Sequence, residues 1–311
     1  MSRVTNLVTG GAGFLGSHLI DKLLNSEQDV ICMDNYLTGN ISNIERFLPH
    51  PNFTFINHDI INPILDVNAQ RIWHLACPAS PIHYQLNPIM TARINFLGTY
   101  NLLSLAYKFG SRILFSSTSE VYGDPDVHPQ SEDYCGRVNP TGKRSCYDEG
   151  KRIAETLCAD FERKYLIDIR IVRIFNTYGP RMNLDDGRVV TSFISSALKG
   201  EPIRVFGNGH QTRSFCYVED LINGMELLMN SNYSKPINLG NPNEISILSL
   251  AEAIRSKIGT AVNITHLPLP EDDPLKRKPS IELAKDILGW QPNISLDRGL
   301  DLTIEWAKDN I

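Results

Sequence analysis

Thr9-Gly10-Gly11-Ala12-Gly13-Phe14-Leu15-Gly16 joins an apolar run, Asn6 to Thr9, to an apolar-periodic helical pattern, Phe14 to Asn25. Its glycines fall in a G-x-x-G-x-x-G spacing. Such a backbone suits a pyrophosphate. Gly10 allows the tight turn after the strand, Gly13 lets backbone N–H groups approach the phosphates, and Gly16 lets the helix pack closely on its strand. A glycine triplet alone says little; the strand before it and the helix after it give it weight.

Outward from the loop the same texture repeats. Further short apolar runs follow at Val30 to Met33, Phe53 to Ile56, Arg71 to Ala76, Arg112 to Ser117 and Ile169 to Phe175, with helical patterns at Pro88 to Phe109 and Tyr147 to Tyr165. Strands alternating with crossover helices predict an α/β Rossmann fold, a doubly wound parallel sheet. Past Tyr178 the chain breaks into short pieces at Gly179-Pro180, Gly207-Asn208-Gly209 and Gly240-Asn241-Pro242. This predicts a smaller C-terminal substrate-binding lobe: residues 1–178 hold the dinucleotide and the catalytic pair, residues 179–311 mainly hold the substrate, and the two exchange segments. A ligand would lie between them, outside the carboxyl ends of the strands.

The acid expected at the end of the second strand is Asp34, 18 positions after Gly16 (34 − 16). Its carboxylate can accept from both hydroxyls of an adenosine ribose and would repel a 2′-phosphate. No Lys or Arg occurs from Asn35 to Glu45, so the expected cofactor is NAD rather than NADP. Asp59 is a candidate adenine partner, and Phe14, Leu15, Asn35, Ile60 and Leu75 complete the expected cofactor-binding set. Gly11 and Gly16 have Walker A spacing, but Ser17-His18 follows where a Lys is required, and no G-x-S-x-G elbow is present.

Composition removes other classes. With 311 residues and 42% hydrophobic content the chain can bury a large core. A net charge of -5 leaves no basic footprint for nucleic acid. Six cysteines form no C-x-x-C pair and eight histidines no H-E-x-x-H, so neither a metal site nor a disulfide framework is expected. No apolar run reaches about 18 residues, and the N-terminus passes almost directly into a strand. These features predict a cytoplasmic protein.

Tyr147 and Lys151 are four apart in a helical pattern, which puts both side chains on one face. A phenol is a poor base at neutral pH, but an ammonium beside it and a cationic nicotinamide above it favour the phenolate. Such a tyrosine can take the proton of an alcohol as hydride leaves the carbon. Ser116-Ser117-Thr118 ends the preceding strand, where a hydroxyl can bond the same substrate oxygen.

With TGGAGFLG, an acid at position 34, the serine-rich strand end and Y-x-x-x-K in this order, essentially the whole chain resembles the extended short-chain dehydrogenase/reductase family of nucleotide-sugar enzymes. HLACPASPIHY (74–84), STSEVYGDP (117–125), SCYDEGKR (145–152), RIFNTYGPRM (173–182), DDGRVV (185–190), QTRSF (211–215) and DDPLKRKPSI (272–281) resemble in particular its branch acting on UDP-glucuronate. Cys135 and Met90 depart from that pattern and carry no obvious chemistry. Related 4,6-dehydratases have Thr-Asp-Glu where this chain has Thr118-Ser119-Glu120, and 4-epimerases usually lack the Glu.

The resemblance implies a carboxy-lyase. Oxidation at C4 makes a ketone β to the C6 carboxylate, carbon dioxide leaves, and return of the hydride gives UDP-xylose. Release of the UDP-4-keto-pentose, and dehydratase or epimerase activity on a neutral sugar nucleotide, are the alternatives; a non-catalytic NAD-binding scaffold is a third. By the same resemblance Thr118, Ser119, Glu120, Tyr147, Lys151 and Arg277 are the catalytic set. Arg93, Asn176, Arg188, Val205, Arg213 and Arg277 are the expected contacts to the UDP-sugar, with Val205 in a segment flanking the uracil. The two long helices carry surplus apolar surface, and in this family such helices pair across a homodimer.

Overall fold

The computed structural model describes residues 3–64, 66–268 and 276–311; of the string at 272–281, positions 272–275 lie outside the described residues. Its centre is a seven-stranded sheet. Six strands come from the first half of the chain: β1 (Thr5–Thr9), β2 (Asp29–Asp34), β3 (Phe53–Asn57), β4 (Arg71–His74), β5 (Arg112–Thr118) and β6 (Ile169–Ile174). The seventh, Pro236–Leu239, pairs with β6, so the order is Pro236–Leu239, β6, β5, β4, β1, β2, β3 with every pairing parallel. Strand order reverses between β1 and β4, and a crevice opens there above the carboxyl ends.

These strands are nearly continuous apolar runs because helices cover both faces of the sheet. In β4, Ile72 and Trp73 are fully buried, and the Trp73 indole N–H is satisfied by Asn6 Oδ1 at 3.0 Å. Removing a ring of this size from such a site costs roughly 3–5 kcal/mol. The Phe14–Asn25 helix turns Leu19, Ile20 and Leu23 inward.

One expectation changes in the structure, and one strand was not foreseen. The halves on either side of residue 178 exchange a segment: Pro236–Leu239 returns from the second half to the sheet. That strand was illegible because its proline opens an edge strand and its Asn238 is buried for polar reasons. Asn238 Oδ1 accepts from the Tyr122 hydroxyl at 2.7 Å, and its backbone N–H donates to Glu132 Oε1 at 2.8 Å. The helix expected over Pro88 to Phe109 is in three parts, Pro88–Arg93, a π turn at Ile94–Gly98, and Thr99–Phe109. The extra residue of the π turn lets the helix fit its neighbours. A Cβ on Gly98 would lie 2.4 Å from Ile60 Cδ1, and one on Gly150 would lie 2.7 Å from Asn95 Nδ2.

The remainder of the second half forms small sheets. Thr212–Ser214 lies between Glu244–Ser246 and Lys276–Arg277, and Ile203–Phe206 pairs with Ile264–Leu267. Among the described residues no helix is long and apolar enough to cross a membrane.

Candidate active site

A cavity of about 1260 Å³ lies between the carboxyl ends of the strands and the second-half sheets. At one end the glycine loop is built by steric necessity. Gly10 has φ +72°, and a Cβ there would sit 2.8 Å from the Ala76 backbone; one on Gly16 would sit 2.2 Å from Gly10 O. Gly10 N–H donates to Met33 O at 2.9 Å and Gly13 N–H to Gly10 O at 3.1 Å, which pins the turn to β2. Asp34 accepts from Ala12 N–H at 3.0 Å and from Tyr36 N–H at 2.7 Å. Burial raises its carboxyl and these backbone bonds act the other way.

The remaining expected cofactor residues converge on the same space. Phe14, Leu15, Asn35, Asp59, Ile60 and Leu75 all line the cavity with Gly10, Gly13, Gly16 and Asp34. A bare backbone turn, a carboxylate at the end of the adjacent strand and an apolar slot beyond it fit a dinucleotide whose ribose meets Asp34.

Farther along, β5 changes from apolar residues to Ser116-Ser117-Thr118 as it enters the cavity. Thr118 Oγ1 accepts from Glu120 N–H at 3.3 Å and so caps the 3₁₀ turn Ser119–Tyr122. The Ser145–Tyr165 helix presents Tyr147 and Lys151, both buried. Lys151 Nζ donates to Ser116 O at 2.8 Å and stands 5.9 Å from the centre of the Tyr147 ring. Burial lowers the lysine; burial and then the Cys77 thiol raise the Tyr147 phenol well above its ordinary value, opposed by a hydrogen bond with Thr118. His74, beneath them, bridges Thr9 and Thr99 hydroxyls at 3.2 and 3.1 Å, and burial lowers it to about 3, which keeps the ring neutral.

Beyond Thr118 the chemistry becomes ionic. Arg277 is 1% exposed, donates to Ser119 O at 2.5 Å and contacts Glu120 Oε2 at 3.2 Å. Arg144 reaches the same Oε2 at 2.5 Å. Burial pushes Glu120 up, but Arg277, then Arg144 and Arg213, outweigh it and hold the carboxyl below its usual range.

The chain matches the family model described as GDP-mannose 4,6 dehydratase over residues 7–303. A relative from Arabidopsis thaliana named UDP-glucuronic acid decarboxylase 3 is 54% identical, the match covering 96% of this chain and 87% of that protein. This chain belongs to the GDP-mannose 4,6-dehydratase family of extended short-chain dehydrogenase/reductases. The solved structure of a Thermotoga maritima UDP-glucose 4-epimerase with UDP-glucose superposes at TM-score 0.92, with 30% identity, covering 98% of this chain and 99% of that one. A Bacillus cereus UDP-glucuronic acid 4-epimerase in complex with UDP-glucuronic acid and NAD superposes at 0.88, with 28% identity and coverage of 99% and 100%.

On this family scaffold, Thr118, Ser119, Glu120, Tyr147, Lys151, Asn176, Arg188, Arg213 and Arg277 all line the cavity. Two expected substrate contacts do not. Arg93 is exposed on the Pro88–Arg93 helix, away from the lining. Val205 is fully buried, because alternation along Ile203–Phe206 turns Arg204 and Phe206 toward the cavity instead. Arg188 is engaged by Asp186, its Nε donating to Oδ2 at 2.7 Å. Three residues escaped sequence reasoning. Tyr84 stacks on Tyr147 at 4.9 Å between centroids and 6° between planes. Arg144 and Asp148 flank Tyr147 on its own helix, and their i−3 and i+1 positions were the available signal.

Proposed function

We propose that this protein is an NAD-dependent UDP-glucuronate decarboxylase forming UDP-xylose. The observation that carries this reading is the Ser119–Glu120–Arg277 cluster: a buried guanidinium and a carboxylate placed one strand-end beyond the Thr118, Tyr147 and Lys151 group. The 54% identical relative with that activity in its name supports it. A 4,6-dehydratase would need an acid where Ser119 stands.

Bound NAD would oxidise C4 and, once carbon dioxide has left, reduce the same carbon. The protein's own work is proton transfer and charge placement. As the phenolate that the Lys151 cation and a bound nicotinamide ring would favour against burial, Tyr147 takes the C4 hydroxyl proton, with Thr118 hydrogen-bonded to its oxygen. The C4 ketone lies β to the C6 carboxylate, so the C5–C6 bond breaks with its electron pair delocalised onto the C4 oxygen as an enolate. The Tyr147 phenol is placed to protonate that oxygen; C5 then gains a proton from solvent in place of the lost carboxylate as the enol proton goes back to the Tyr147 oxygen, which delivers it to the C4 oxygen when the ketone is reduced. Arg277 is the cation available to the carboxylate, and Glu120 accepts hydrogen bonds near the ring. Arg213 and Arg188 supply local positive charge for the diphosphate in an acidic protein, and Asn176 also lines the cavity. Asp34 favours NAD over NADP.

We further propose a homodimer. Ile89, Phe96, Tyr100 and Tyr107 are 76%, 43%, 47% and 58% exposed along one helical stripe, next to Ile153 at 41%. A second copy would cover this stripe; sedimentation should give twice 35.0 kDa, and a single-chain mass would contradict it. Six free thiols suit a reducing compartment, hence the cytoplasm. The test of function is incubation with UDP-glucuronate and NAD: carbon dioxide and UDP-pentose should form in equal amounts. No pentose from folded, NAD-binding protein would overturn the proposal.

A further inference from the structure

Among the described residues, Glu120 forms ion pairs with the guanidiniums of Arg277, from the substrate-side lobe, and of Arg144, from the dinucleotide-side half. Arg277 reaches Oε2 at 3.2 Å from the Lys276–Arg277 strand. Arg144 reaches the same oxygen at 2.5 Å from the start of the helix that carries Tyr147 and Lys151. Arg144 also lies with its Nε 3.8 Å from Asp148 Oδ2, one turn on. Its carbonyl accepts from Tyr147 N–H and Asp148 N–H, both at 3.0 Å, so the backbone that places the phenol starts at the same residue. Asp148 is 7% exposed, and its Oδ1 has no hydrogen-bond partner among the described residues.

We propose that Arg144 is a positioning residue: seated where the helix that bears the catalytic phenol begins, it holds the Glu120 carboxylate beside Arg277 and ties it to that helix. The inference deepens the decarboxylase reading and rests on it for the role of Glu120. Glu120 meets Arg277 and Arg213 from the second-half strands, Arg144, Asp148 and Tyr147 from the helix, and Tyr84 from the Pro81–Leu86 helix. Burial alone would protonate it; the surrounding arginines reverse that. Asp148 is pushed up to about 7, chiefly by burial and then by Glu120.

If Arg144 acts through Glu120, removing its charge must raise the Glu120 pKa and carry the acidic limb of the kcat profile with it. In R144Q that limb should move up by about one pH unit or more, with R144K much closer to wild type and KM for UDP-glucuronate changing less than about threefold. On an E120Q background, R144Q should cost little further activity. A profile unchanged in shape, or full additivity with E120Q, would overturn the proposal. NAD binding and melting temperature check folding, and R144K supplies the comparison if R144Q does not fold.

A readout free of substrate separates this inference from the function it rests on. Difference infrared titration of the NAD-bound protein, with the Glu120 band assigned by its loss in E120Q, should show the carboxyl titrating about one unit higher in R144Q. Coincident titrations in wild type and R144Q would contradict the inference even if decarboxylation is observed. A shifted band in a protein that makes no UDP-pentose would leave the Arg144–Glu120 link standing and remove the decarboxylase reading.

Discussion

The two ends of the cavity are built from different materials. The dinucleotide end is backbone: Gly10 and Gly16 are there because a single Cβ would collide with Ala76 or with Gly10 O, and one carboxylate, Asp34, is tied to two backbone N–H groups. The substrate end is side chain: Glu120, Arg144, Arg277, Arg213 and Asp148 come from four separated stretches, and the arginines hold Glu120 by charge. Backbone sites tolerate almost no change in shape, whereas ionic side-chain sites should fail by degrees.

The largest loss should fall where the two ends meet. Y147F keeps the ring stacked on Tyr84 but removes the proton carrier, and turnover should drop about a thousandfold with NAD still bound; activity within a few fold of wild type would remove Tyr147 from the chemistry. At the backbone end G16A is next. Its Cβ would be 2.2 Å from Gly10 O and 2.6 Å from Gly11 Cα, so affinity for NAD, measured by calorimetry, should fall at least about a hundredfold. At the side-chain end a change of similar chemical modesty, R213K, should raise KM for the UDP-sugar only about tenfold. Equal effects of G16A and R213K would erase the distinction.

The smallest effect is on stability. Asp148 keeps its proton to about 7 in the folded protein, against 3.8 ordinarily, so the native state binds the extra proton between those values and stability falls as pH rises through that window. D148N removes this fall. Its melting temperature relative to wild type should therefore rise by a few degrees between about pH 4 and pH 8; a constant difference would show that Asp148 titrates normally.

The same contrast decides what was legible in the sequence. The glycine loop could be read because the spacing of Gly10, Gly13 and Gly16 is itself the structural requirement, and the inner strands because burial on both faces leaves apolar runs. Pro236–Leu239 could not be read, since an edge strand with a buried polar Asn238 has neither run nor alternation. At the substrate end, Arg277 meets Ser119 across 158 positions, and only a family resemblance could bring it into view. Arg144 was hidden although three residues from Tyr147, because its partner is set by tertiary structure. Val205 shows the reverse: its segment reaches the cavity, but strand alternation decides which side chain faces in.

The central claim is that the site oxidises C4 only to let carbon dioxide leave, and then restores that carbon. UDP-glucuronate carrying deuterium at C4 tests it most directly. Mass spectrometry of the UDP-pentose should find the deuterium retained at C4, with no net accumulation of reduced cofactor. Loss of the label from C4, or release of a UDP-4-keto-pentose with one equivalent of NADH, would contradict the account.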